Sequence, residues 1–332
     1  MRLLFTALAC LISFSLFGQG WEQTFGGESY DEGRSVQQTT DGGYIVTGST
    51  YSFGAGGHDV YLIKTDGNGI EQWSHTFGGL FTDIGFSVQQ TTDGGFVIAG
   101  LYGGYEQDET VVGSGVYLIK TDGNGDELWS STFGGTSGYS VQQTTDGGFI
   151  ITGFTNDEGH NVCLIKTDGN GNEQWSQNYV EFYVQTGYSV QQTTDGGYII
   201  TGSTYSLPEI ESDVYLIKTD GSGIIQWTET FGGQVDPVNS EGEVGYSVQQ
   251  TIDGGYIIAG KTNSFGAGDH DVYLIKTDSE GTLSSSFTIP TPAPRKLDKV
   301  VDALGREVNH TTNQILFHIY DDGSVEKKFI VE

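Results

Sequence analysis

The chain has 332 residues, 52 of them Gly and 5 Pro, with 36% hydrophobic, 12% aromatic and 17% charged residues. Gly without a three-residue period excludes collagen, and this aromatic content excludes a disordered tail. Lys and Arg total 14 against 43 Asp and Glu, a formal net charge of -29, which repels phosphate backbones and anionic lipid and removes nucleic acid from the expected partners.

Residues 1–20 carry one charge, Arg2, then an apolar run from Leu3 to Phe17, then Gly18 and Gly20. This pattern predicts a secretory signal peptide cut after Gly20, with Gly18 as the alternative; the run is shorter than a membrane-spanning helix needs, so no transmembrane segment is expected in the mature chain. Cys163 would be the only cysteine left, which precludes an internal disulfide.

From Trp21 onward a unit recurs five times. Each has a Trp segment, an S-V-Q-Q-T segment, a G-G-[YF]-[IV]-[IV]-[TA]-G segment and a V-Y-L-I-K-T-D-like segment, and Trp21, Trp73, Trp129, Trp175 and Trp227 are all the Trp residues in the chain. The segments are rich in β-branched and aromatic residues and too short for helices. Tyr61-Leu62-Ile63 is apolar without alternation, as in a strand covered on both faces. Four strands per repeat predict propeller blades. T-[TI]-D-G-G, first at Thr39–Gly43, and D-G-[NS]-G, first at Asp66–Gly69, supply the tight turns.

The fifth unit lacks a Trp strand after Asp278, whereas Trp21–Phe25 precedes the first S-V-Q-Q. The expected fold is therefore all-β: a five-bladed propeller of four-stranded antiparallel blades over 21–287, closed by the N-terminal strand, with S-V-Q-Q-T innermost and Trp outermost. Residues 288–294 hold three of the five Pro and read as a stiff linker, and 295–332 as a small β module.

The run D-G-N-G-x-x-x-W-x-x-T-F-G-G at Asp122–Gly135, with S-V-Q-Q-T-x-D-G-G and Y-L-I-K-T-D, resembles secreted bacterial β-propeller repeat proteins. Residues 295–332 are similar to the C-terminal sorting domain of the type IX secretion system, on Asp302, Gly305 and Arg306 of D-x-x-G-R-x-V and on Tyr320, Lys327 and Lys328 near the end. That resemblance implies a β-sandwich engaging the type IX machinery and a secreted or outer-surface location.

The invariant turns share one rim, and the loops of variable length share the other, where a working face is expected. Aromatic and acidic residues there, Tyr102, Tyr105 and Glu106, then Phe182 and Tyr183, suit stacking on sugars; His58-Asp59 and His270-Asp271 occupy equivalent loop ends. Asp122, Asn124 and Asp126, and Asp168, Asn170 and Asn172, offer alternate oxygen side chains as calcium loops do, although the Gly and the twelfth-position acid of such loops are absent. No cofactor is required by the motifs, and Ca2+ is the one considered. There is no G-x-S-x-G turn in strand-to-helix context, and no catalytic set is assigned. Near-symmetry of the units favours multivalent binding over one asymmetric catalytic centre. The expected function is a secreted or cell-surface, non-catalytic scaffold recognising glycans or proteins through the variable rim. The alternative is a polysaccharide-active hydrolase or lyase using acids of that rim.

Overall fold

In a computed structural model of the chain, residues 20–103, 114–156, 160–180, 184–206, 211–233, 242–266, 270–283, 296–302, 305–308, 315–320 and 325–329 are described. Residues 1–19 of the expected signal peptide and the expected linker 288–294 lie outside them. The chain divides into two compact units, Met1–Leu283 and Ser284–Glu332.

The described residues of the first unit are all-β. The first sheet comprises β1 (Asp31–Gln38), β2 (Tyr44–Thr50), β3 (Asp59–Thr65) and β4 (Glu71–Phe77). The second has β5 (Ile84–Gln90), β6 (Phe96–Tyr102), β7 (Gly115–Thr121) and β8 (Glu127–Phe133); the third has β9 (Ser137–Gln143), β10 (Phe149–Thr155), β11 (Asn161–Thr167) and β12 (Glu173–Tyr179). The fourth has β13 (Gln185–Gln192), β14 (Tyr198–Ser206), β15 (Glu211–Thr219) and β16 (Ile225–Phe231). The fifth has β17 (Val244–Gln250), β18 (Tyr256–Thr262) and β19 (Asp271–Thr277). Every pairing is antiparallel between chain neighbours, the pattern of propeller blades.

The core lies between sheets. Ile45, Val60, Leu62 and Phe77 of the first sheet meet Val88, Phe96, Ile98, Tyr117 and Ile119 of the second, and the next two seams repeat this in other residues. That is why β3, β7 and β11 are buried along their whole length. Cys163 is buried in β11, and burial pushes its thiol up to about 12.

Residues of the S-V-Q-Q signature stitch sheet to sheet. Ser35 Oγ accepts the Val88 N–H at 3.3 Å and Gln37 Oε1 the Gln90 N–H at 2.6 Å, while Gln90 Oε1 reaches back to the Thr40 N–H at 2.9 Å. The same three bonds recur at each of the next three seams. At the outer edge each Trp packs on the D-G-N-G-type turn of the following sheet. Gly125 has a φ of +86°, and a Cβ there would strike the Trp73 ring, so only Gly fits.

No strand among the described residues completes the expected closure. Residues 20–30 contain no strand, the fifth sheet has three described strands, and β19 carries only an isolated bridge from Thr277 to Leu283. Trp21 lies over the first sheet, its ring centroid 5.7 Å from Tyr44 and its Nε1 donating to Gly67 O at 3.3 Å. The apolar faces at the two ends of the array are accordingly bare: Val36 is 66% exposed, and Val272 and Leu274 are 87% and 65% exposed.

The second unit contains a three-stranded antiparallel sheet of β20 (Leu297–Val301), β21 (Ile315–Tyr320) and β22 (Val325–Phe329). Its D-x-x-G-R segment is a closed turn. Gly305 takes a φ of +77°, and Arg306 Nε donates to Asp302 Oδ2 at 2.8 Å while the Arg306 N–H donates to Oδ1 at 3.0 Å. Tyr320 ends β21; Lys327 and Lys328 lie in β22. No helix among the described residues is long and apolar enough to cross a membrane.

Candidate functional site

The first residues of each innermost strand lie at the variable-loop rim, because β1 runs from Asp31 toward the T-T-D-G-G turn. Each innermost strand is interrupted there by a bulge in G-x-S-V-Q-Q, with the register slipping between Gly33 and Ser35, Gly85 and Ser87, Gly187 and Ser189, and Gly245 and Ser247. In β9 Gly138 and Ser140 pair with adjacent residues and Tyr139 is skipped. A bulged residue is freed from the ladder and re-aimed.

The five freed residues are Arg34, Phe86, Tyr139, Tyr188 and Tyr246. They form a continuous collar: the Arg34 guanidinium lies 5.0 Å from the Phe86 centroid, and successive ring centroids are 4.8, 5.4 and 5.6 Å apart. With Glu32 and Gly33 they line one open cavity of about 490 Å³. Arg34 Nη2 sits 2.7 Å from Glu32 Oε2, which also accepts the Tyr30 hydroxyl at 3.3 Å. Burial raises the phenol pKa values of Tyr139 and Tyr188, so these two rings are neutral at neutral pH. Flat, neutral rings beside one ion pair suit a sugar: pyranose faces stack on the rings, and hydroxyls donate to the carboxylate. This collar was not among the expected sites, although the aromatic in four of the five G-x-S-V-Q-Q copies marks it in the sequence.

The expected ligand residues among those described lie at loop ends of the first, second and fifth sheets. Tyr105, Glu106, Phe182 and Tyr183 lie outside the described residues. Tyr102 ends β6 and packs edge-on against Tyr117 at 5.2 Å. His58 is held edge-on between Tyr30 and Tyr51, at 5.7 and 5.1 Å. Asp59 is buried and accepts the Ala55 N–H at 2.7 Å; burial first, then the neighbouring Asp83 charge, raises its pKa. Asp83 is buried too, with its pKa raised by burial, and accepts the Gly79 and Gly103 N–H groups at 2.8 and 3.0 Å. A Cβ on Gly78 would collide with both carboxylates at once, so their facing oxygens border a space the size of one methyl group. His270 and Asp271 occupy the equivalent position in the fifth sheet, against Gly266.

The candidate calcium turns are alike in all copies. Asp122 Oδ1 accepts the Asn124 and Asp126 N–H groups at 2.8 and 3.0 Å, and Asp168 Oδ1 those of Asn170 and Asn172 at 2.8 and 2.9 Å. Asp66 and Asp220 do the same in turns that carry Ile70 and Ile224. Among the described residues no group of three or more His, Cys, Asp or Glu is placed to hold a metal.

No protein-family model matches the chain, and no curated protein matches it. Among solved structures, an endo-arabinase from Bacteroides thetaiotaomicron is similar at 10% identity over 75% of this chain and 95% of its own, with a TM-score of 0.42. The extracellular domains 1-2 of Drosophila semaphorin 1b are similar at 9% identity over 91% and 75%, with a TM-score of 0.45. An endo-1,5-α-L-arabinanase from Thermotoga petrophila is similar at 11% identity over 88% and 84%, with a TM-score of 0.39. Two of these three are structures of carbohydrate-cleaving enzymes, not of non-catalytic binding scaffolds of the kind expected. Likenesses of this degree describe fold alone, so the chemistry has to be argued from the site.

Proposed function

We propose that the chain is an exported polysaccharide-active hydrolase whose substrate lies across the axial collar. The observation that carries this reading is the open cavity of about 490 Å³ in which four aromatic rings meet the Glu32–Arg34 pair. The charge of -29 directs it to neutral rather than uronate polysaccharides. Glu32 is the cavity's carboxylate and takes a proton from the water that attacks the anomeric carbon. The Tyr30 hydroxyl, donating to Glu32 Oε2 at 3.3 Å, holds the carboxylate in place. Glu32 then gives the proton it took from water to the leaving oxygen, which restores the carboxylate, and the net change is addition of one water across the glycosidic bond.

The frame of this site is a closed ring of five units. Two features support closure. Trp21 packs on Gly69 as Trp73, Trp129, Trp175 and Trp227 pack on Gly125, Gly171, Gly223 and Gly281, which is where the outer Trp of the fifth unit belongs. Val36 of the first sheet, and Val272 and Leu274 of the fifth, are the exposed counterparts of residues that bury one another at every other seam. Export follows from the reading of residues 1–20 as a leader and of 295–332 as a type IX-like sorting tail.

The test is release of reducing ends from a panel of neutral polysaccharides by the full chain, compared with Glu32→Gln and Tyr188→Ala. Turnover lost in E32Q with polysaccharide retention intact, and retention weakened in Y188A, is the expected result. Turnover on no member of the panel, or E32Q cleaving at the unmodified rate, overturns the reading.

A further inference from the structure

The N-terminal segment forms one wall of a cavity against the first sheet. Gly27 comes so close to Ser52 and Phe53 that a Cβ there would crowd both side chains, just as Gly233 meets Ser264 and Phe265 at the fifth sheet. Hydrogen bonds pin the approach: the Ser29 N–H donates to Ser52 Oγ at 2.9 Å, the Gly27 N–H to Asp31 Oδ2 at 2.8 Å and the Phe53 N–H to Thr50 Oγ1 at 3.2 Å. Phe25 is thereby set opposite β3 and β4, where it shares with Phe53 and Tyr61 the lining of a cavity of about 400 Å³. That volume suits a small molecule. The Phe53 and Tyr61 centroids are 5.8 Å apart and the rings are tilted by 49°, so they make two walls rather than one stack.

Glu71, exposed at the start of β4, is the one carboxylate among the lining residues, with the hydroxyls of Ser74 and Thr76 on the same strand. The Tyr61 phenol registers its charge: burial raises the phenol pKa most, a hydrogen bond with Ser74 lowers it, and the charges of Glu71 and Asp31 raise it further. Asp31 lines a smaller cavity of about 160 Å³ that shares Phe25 and Tyr61. No Lys or Arg is among the residues lining either cavity. His75, at the edge of the larger one, is engaged with the second sheet, its Nε2 3.1 Å from Asn124 O. Aromatic faces are the negative ends of their quadrupoles, and with a carboxylate beside them they attract a positive charge that has an apolar surface. A quaternary ammonium has that character, and it brings no N–H group whose loss of water must be made good. The net charge of -29 raises the concentration of cations at the surface.

We propose that this cavity binds a quaternary ammonium ion, its trimethylammonium head held against Phe25, Phe53 and Tyr61 with Glu71 beside it. The site shares no residue with the axial collar, and it stands or falls without reference to polysaccharide cleavage.

The experiment titrates the full chain with choline and with tetramethylammonium by calorimetry, at low salt and at about 0.15 M. Saturable binding of both ions is expected, weakened but retained at the higher salt. Neohexyl alcohol, the uncharged carbon isostere of choline, should bind about tenfold more weakly. Phe53→Leu keeps apolar bulk and loses the ring, and Glu71→Gln loses the charge; each should weaken choline binding by about tenfold. Both residues are exposed, so neither change touches the core. Glu173→Gln, at the matching place in β12 beside a strand with Cys163 in place of a tyrosine, should bind as the unmodified chain does. The isostere binding as tightly as choline, F53L or E71Q binding as tightly as the unmodified chain, or E173Q losing as much as E71Q overturns the proposal. So does the absence of saturable binding. Displacement of choline by a neutral oligosaccharide also overturns it, because the cavity is then a sugar site.

Discussion

The backbone N–H of Gln90 donates to the side-chain Oε1 of Gln37 across the first seam at 2.6 Å, and the same bond joins Gln143 to Gln89, Gln192 to Gln142 and Gln250 to Gln191. The conserved pattern within the chain is thus a device for joining sheets, made from side chains that are half-buried or more exposed along the innermost strands.

Removing one acceptor strands a backbone donor inside a seam. Gln89→Ala is expected to lower unfolding stability by about 1–3 kcal/mol, whereas Gln249→Ala, whose Oε1 has no following sheet in the described array, should cost little until the ring closes. Chemical denaturation of the two variants measures the difference.

A second repeated device ties each hairpin turn to the strand behind it. Lys166 Nζ is buried and bonds Asp146 Oδ2 at 2.9 Å and Thr167 O at 2.7 Å, and Lys120, Lys218 and Lys276 repeat the ion pair with Asp93, Asp195 and Asp253. The four carboxylates are lowered from 3.8 to about 2; hydrogen bonds from the adjacent Thr and Lys outweigh burial, where it is the largest single effect, in opposing the shift. A pKa depressed by folding stabilises above the unfolded value and is lost as pH falls through the folded one. Melting temperature should therefore fall steeply between about pH 4 and pH 2. Asp146→Asn should flatten one step of that fall.

Asp59 has the opposite sign. Its pKa is raised, so the folded chain gains from protonating it as pH drops from neutral, and ionisation at pH 7 is a cost. In Asp59→Asn the new amide can donate to Asp83 Oδ2. The variant is expected to be more stable than the unmodified chain at pH 7 by about 1 kcal/mol, with the gap closing as pH is lowered toward 4. Equal stability at pH 7 removes the repulsion from the account.

Closure makes its own prediction at the two bare faces. Val36→Asp and Leu274→Asp are surface changes in an open array and should then cost within about 0.5 kcal/mol. In a closed ring each puts a charge into a packed seam, and the loss should be several kcal/mol. Urea unfolding of the two variants separates the cases.

The strands, their antiparallel order and both kinds of tight turn were legible in the sequence, because β-branched runs and Asp-Gly turns are local signals. The roles of Ser35, Gln37 and Gln90 were not, since their partners lie 50 to 53 positions away along the chain, and the Lys64–Asp41 link joins two motifs that read separately as strand and turn. The collar was hidden for a different reason. A bulge changes where Arg34, Phe86, Tyr139, Tyr188 and Tyr246 point without changing the residue types around them. Tyr102 and His58 were noticed by composition but are occupied with neighbouring rings.

Because each seam is made by the same few atoms, Ser Oγ, two Gln side chains and a Trp over a Gly, any unit can neighbour any other. Gene duplication or shuffling could replace one module and its loops wholesale while leaving the joints intact. Novelty at the recognition rim would then arise by exchange of whole modules, without prior redesign of the core.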